Sequence, residues 1–82
     1  MRTTQRERIL GYLRRNGKAT VHELMVAAIT NNPHARIEEM TDERGLVYEP
    51  IRDGWVCTGE RIVRDSMRHN GRKITVFRIK RA

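Results

Sequence analysis

The sequence predicts an α+β domain in which three short helices precede a β-hairpin. Three observations carry this. A Thr-x-x-Glu pattern occurs at Thr4/Glu7 and again at Thr20/Glu23; an Asn31-Asn32-Pro33 step opens a third apolar-periodic run; and beyond Leu46 the pattern turns strand-like and folds back at Asn70-Gly71. At 82 residues and 9.6 kDa the chain is expected to be one domain, 1–82, whose core buries roughly 60–65% of the unfolded surface. So small a body is not expected to hold a deep active-site cavity.

The first helix is expected from about Gln5 to Arg15. In TQRERILGYLRRNG the Thr4 hydroxyl can accept from the Glu7 amide while the Glu7 carboxylate reaches back to the Thr4 amide. Ile9, Leu10 and Leu13 supply a narrow apolar stripe, and Asn16-Gly17 offers a left-handed stop. Lys18-Ala19-Thr20 can form a one-bridge strand. Thr20 and Glu23 then repeat the capping pattern, and Val21, Leu24, Met25 and Ala28 face inward from a second helix. That helix is short, because Thr30, Asn31 and Asn32 prefer caps and turns and Pro33 suits a first helical position. A third helix within ARIEEMTDERGL places Ile37, Met40 and Arg44 along one side, with Gly45 as its stop. Met25 and Met40 read as core filler.

From Leu46 onward, LVYEPI and WVC are separated by the Arg52-Asp53-Gly54 reversal, and Pro50 makes LVYEPI an edge strand or an irregular approach to the sheet. The Gly54 to Glu60 stretch reads as an insertion before the final hairpin. Trp55 is expected in the core with its indole N–H on an acceptor, with stacking on a base as the alternative; Cys57, the single cysteine, is expected to be a small buried or half-buried apolar residue. RIVRDSM and KITVFRIK flank Asn70-Gly71, a step that favours the type I′ turn of a tight hairpin. With those two as the loop, Met67 pairs with Ile74, Arg64 with Phe77 and Ile62 with Ile79. The base is then apolar and the tip carries Arg68, Arg72 and Lys73.

The net charge of +7 is segregated along the chain. Residues 1–20 hold six cations and one anion, residues 21–60 three cations and eight anions, and residues 61–82 eight cations against Asp65 alone. Both ends therefore attract polyanions and the middle does not. Lys and Arg also solubilise exposed faces, but their concentration on one hairpin favours a ligand surface there.

Other function classes find little support. No stretch approaches the roughly 18 consecutive apolar residues of a membrane helix, and MRTTQRER has no apolar run to act as a signal peptide, so a soluble, cytoplasmic protein without a membrane partner is expected. His22, His34 and His69 are too scattered to form a metal set with Cys57. No metal, cofactor or small-molecule substrate is expected, and no enzyme. There is no suggestive Ser/His/Asp or Cys/His spacing and no glycine-rich phosphate loop, and Glu38 and Glu39 project about 100° apart on a helix, as a solvated face rather than a catalytic pair.

Taken in order, TQRERILGYLRRNGKATVHEL, ARIEEMTDERGL and RIVRDSMRHNGRKITVFRIK resemble the small winged helix-turn-helix proteins of bacteriophages and prophages. That group has a capped first helix, a T/S-x-x-E helix start, an A-R-I-x-x-L type third helix ending in glycine, and a basic hairpin with an Asn/Gly tip. The resemblance covers nearly the whole chain and rests on order and spacing rather than on any single motif. It implies a winged helix-turn-helix fold and sequence-selective binding of double-stranded DNA, as a transcriptional regulator or an excisionase-like architectural factor in the cytoplasm of a bacterial host, at the nucleoid. The third helix would enter the major groove and the wing would lie on an adjacent backbone or minor groove.

Within that geometry Asn31, Asn32, His34 and Arg36 at the helix entry offer side chains able to bond base edges or phosphates, and phosphate contacts are expected mainly from Arg64, Arg68, Asn70, Arg72 and Lys73 of the wing and from the N-terminal Arg2 and Arg6. Glu38, Glu39, Asp42 and Glu43 against Arg36 and Arg44 make the third helix acidic along its length, so it is expected to enter by its first turn. A homodimer fits so small a reading surface, since one half-site gives little specificity. The alternative is a protein-interaction module on the same frame, docking on a host protein complex through the acidic middle or the wing without nucleic acid.

Overall fold

A computed structural model describes residues 4–82 of the chain. In order, its elements are α1 (Gln5–Asn16), β1 (Lys18–Thr20), α2 (Val21–Ala28), α3 (Pro33–Met40), β2 (Leu46–Ile51), β3 (Gly54–His69) and β4 (Arg72–Arg81). The strands form one antiparallel sheet in the order β1-β4-β3-β2. Ile9, Leu10 and Leu13 of α1 meet Leu24 and Ala28 of α2, Ile37 and Met40 of α3, and Val47, Ile62 and Phe77 of the sheet in one core. The chain is thus α+β, with three helices and a four-stranded sheet. No helix among the described residues is long and apolar enough to cross a membrane.

The short-range signals act as their chemistry dictates. The Glu7 amide donates to Thr4 Oγ1 at 3.1 Å, and α1 runs on to Asn16, where Gly17 at φ 80° caps it by donating to the Leu13 carbonyl. At α2 both halves of the capping box are made: the Glu23 amide donates to Thr20 Oγ1 at 3.1 Å and the Thr20 amide to Glu23 Oε1 at 2.9 Å. These bonds, with a further one from the Tyr12 hydroxyl, hold the Glu23 carboxyl below its ordinary pKa. Pro33 opens α3 behind Asn32, whose Oδ1 accepts from the Ala35 amide.

Two sequence expectations are corrected here. The third helix stops at Met40 and does not reach Gly45, because the Asp42 carboxylate accepts from the amides of Arg44 (2.9 Å) and Leu46 (3.0 Å) and turns the chain. Arg44 is thereby removed from the helical face and pairs with Asp42 at 3.1 Å. Gly45, at φ 82°, instead allows the chain to approach β3: the Ile62 amide donates to its carbonyl at 2.9 Å, and a Cβ there would lie 2.6 Å from the Ile62 oxygen.

The second correction concerns the sheet, which is larger than a wing plus one bridge. Gly54 to Glu60 is not an insertion but the start of β3, a 16-residue strand paired first with β2 and then with β4. A reversal at Arg52-Asp53, with Ile51 paired to Gly54, closes a separate hairpin, and Gly59 at φ 83° lies where the β2 register shifts. β2 is an edge strand, the position that Pro50 tolerates. Trp55 and Cys57 lie where β3 pairs with β2 alone, and so neither is in the core. Trp55 is 51% exposed, with the Arg6 guanidinium 5.7 Å from its ring centre, and the Cys57 thiol is exposed.

The first hairpin is tied to α1 by charge. Arg14 Nη2 lies 2.6 Å from Glu60 Oε1 and 3.1 Å from Glu49 Oε1, and Nε donates to Glu60 Oε2 at 2.9 Å. The bonds to Arg14 hold the Glu60 carboxyl below its ordinary pKa of 4.5. A carboxyl whose folded pKa is lowered contributes stability that is present above its ordinary value and lost as pH falls through the folded one. Thermal melts are therefore expected to weaken below about pH 4.5. Glu60→Gln should flatten that acid limb and lower the melting temperature near neutrality by at most ~4–8 °C, because a partly exposed pair contributes up to about 1 kcal/mol. An unchanged acid limb in the variant would remove the pair from the ledger.

Candidate nucleic-acid interface

The final hairpin has the register read from the sequence. Asn70 (φ 52°) and Gly71 (φ 76°) form the turn, and Met67 lies opposite Ile74, Arg64 opposite Phe77 and Ile62 opposite Ile79. Strand side chains alternate between faces, so Arg64, Ser66 and Arg68 share a side with their partners Phe77, Thr75 and Lys73. His69 and Arg72 project from the other side, with Met67 and Ile74.

Phe77 joins the hairpin to α3. It is 2% exposed, and the His34 ring packs edge-on against it with centroids 5.1 Å apart, while the Arg64 guanidinium lies 5.8 Å from the same ring. The first turn of α3 and the middle of the hairpin therefore adjoin on one side. From Arg64 that side continues through Ser66 and Thr75 to the Arg68/Lys73 pair, a span of about 13 Å for four strand residues. Ser66 and Thr75 were not among the residues expected from the sequence; extending the Arg64–Phe77 alternation by one pair would have found them.

The remaining candidates are placed as follows. Asn31 is exposed, whereas Asn32 spends its side-chain oxygen as the α3 cap. His34 is half-buried by its contact with Phe77. Arg36 lies along α3 and bonds Glu39 at 3.1 Å, one turn later. Arg68, Asn70, Arg72 and Lys73 are exposed at the tip. Arg2 lies outside the described residues.

Arg6, expected to supply phosphate contacts together with the hairpin cations, is placed away from the hairpin tip. It lies 3.8 Å from Glu39 and over Trp55, near the start of β3, whereas Arg68 is 13 residues further along the same strand, or roughly 40 Å at strand rise.

Compared with protein-family models, curated proteins and solved structures, the chain matches none.

Unpaired cations are more concentrated on the hairpin than in the body. Among the described residues of the body, Arg6, Arg14, Arg36 and Arg44 have a carboxylate partner and Arg8, Arg15, Lys18 and Arg52 have none. Among the described residues, seven of the eight cations in 61–82 have none within 4.0 Å; Arg78, bonded to Asp65 at 3.0 Å, is the exception. Arg68 and Lys73 face one another across the strands, and Arg72 follows the turn. Like charges opposed in this way repel, a cost of a few tenths of a kcal/mol or more that an anion spanning the tip removes. Acidic residues adjoin the inner end of this row: Glu38 and Glu43 line the same depression as Arg64 and Phe77, while Asp42 is committed to its own turn.

Proposed function

We propose that the chain is a winged helix-turn-helix protein that binds double-stranded DNA, as a phage-type transcriptional regulator or an excisionase-like architectural factor. The observation that carries this is the row of partnerless cations on the final hairpin, adjoining the first turn of α3 through Phe77. The span of about 13 Å from Arg64 to the Arg68/Lys73 pair is comparable to a major groove of about 12 Å. The first turn of α3, with Asn31, His34 and Arg36, then faces base edges while the hairpin tip lies on the flanking backbone. Glu38, which lines the same depression as Arg64, disfavours phosphate there, so the backbone contacts fall mainly to the tip cations Arg68, Arg72 and Lys73.

The phosphate contacts dominate affinity, so salt is the test. With about six phosphates neutralised, the duplex dissociation constant rises by ~10³ between 50 and 200 mM salt. Fluorescence anisotropy on a labelled duplex measures this directly, and a flat salt response overturns the reading. Selection of bound duplexes from a random pool would then return a motif and show whether it is palindromic.

A further inference from the structure

In a chain of which 33% is Asp, Glu, Lys and Arg, residues 19–35 contain a single formally charged side chain, Glu23. This stretch comprises α2 and the turn that follows it. The inner face of α2 buries Leu24 and Ala28. Its outer face is not polar in compensation: Val26 is 67% and Ile29 73% exposed, the highest values among the exposed large hydrophobic residues. His22, Val26 and Ile29 follow one another at i, i+4, i+7, the spacing of one helical stripe. Half-buried Met25 widens the stripe towards a shallow, mainly apolar groove that it forms with Val21 and Ile74.

Ile29 is also a backbone outlier. It caps α2 at φ 52°, ψ 54°, a left-handed conformation that a β-branched residue adopts at a cost glycine and asparagine largely escape. Every other left-handed position among the described residues is a glycine or Asn70. The outward isoleucine at this cap gains nothing from the core in return.

We propose that the stripe centred on Val26 and Ile29 is the surface through which two copies of this chain pair. The occupant follows from charge. Two chains of net charge +7 repel over most of their surfaces. A two-fold contact sets each patch against its own copy, so any net charge in the patch is doubled against itself. The α2 stripe meets that condition and has the charge-poor, apolar character of an interface core. Of the other exposed large apolar residues, Ile51, Trp55 and Val56 sit among Glu49, Arg52 and Asp53, and Met67 lies beside Arg68, so none does. This inference goes beyond the proposed DNA binding and is independent of it, since the pairing of α2 stripes requires no nucleic acid.

The test is sedimentation velocity of the full chain without nucleic acid, at raised salt, from low to high micromolar concentration. The wild type is expected to shift from monomer to dimer. Ile29→Asn removes the apolar anchor while suiting the left-handed cap, so it should keep or raise the melting temperature at concentrations where both proteins are monomeric, and weaken pairing by about tenfold or more. Val26→Lys combined with Ile29→Asn should be monomeric throughout. A wild type that stays monomeric, or variants that pair as tightly as the wild type, would each overturn the proposal. All of these are read without DNA, so they stand apart from the outcome of the salt titration.

Discussion

Replacing Arg68, Arg72 and Lys73 together by glutamate should abolish duplex retention in a gel shift while leaving the thermal transition nearly unchanged. The substitution changes six units of charge at the tip of the hairpin. About six phosphate contacts account for a ~10³ response to a fourfold change in salt, so a loss of that order or more is expected at moderate salt. Stability is little affected because all three side chains are exposed and none has a carboxylate partner among the described residues. The repulsion between Arg68 and Lys73 is merely exchanged for one between two carboxylates. Glu38→Ala with Glu39→Ala serves as the comparison and should leave duplex binding intact. A triple variant that still retards the duplex would move the interface away from the final hairpin and favour the remaining surface of the protein.

Phe77→Ala should cost about 3–5 kcal/mol, the usual penalty for emptying a fully buried aromatic site. Against a total stability of roughly 5–15 kcal/mol for a domain, that lowers the melting temperature by at least ~12 °C or unfolds the chain. Phe77→Leu retains most of the apolar contact and should remain folded. It is the more informative variant, because the ring that places both His34 and Arg64 is gone. Its duplex affinity should fall although no charged group has been removed. A folded Phe77→Leu protein with wild-type affinity would show that His34 and Arg64 need no common support.

Much of the fold was legible where the deciding interactions are short-range. The Thr20/Glu23 box, the Pro33 helix start and the Asn70-Gly71 turn each depend on residues within a few positions, and the turn sets the whole register from Ile62 to Ile79. The end of α3 was not legible. Asp42 takes amides from residues 44 and 46, in competition with continued helix, and the Gly45 that would suit a helix stop serves instead the approach to Ile62. β3 was misread because its two halves have different neighbours and a bulged register between β2 and β3 interrupts any single alternation. Trp55 and Cys57 followed from that error, since a residue in an insertion and one on a two-stranded ribbon differ in what can cover them. At the candidate site the hairpin cations could be read directly. The separation of Arg6 from them could not, because it depends on how α1 packs across the sheet, a tertiary fact with no local signature.

The undivided length of β3 has a consequence for the order in which this protein could err. One strand supplies Ile62 to the core and Arg68 to the tip, and slipping its pairing by a single position would turn both over at once. A molecule with its cations facing the wrong way would therefore also have lost its interior, and would be cleared as unfolded rather than persist as a competent-looking decoy. The orientation of the tip is thus guaranteed by folding itself, and none of the energy of meeting a ligand has to be diverted to setting it.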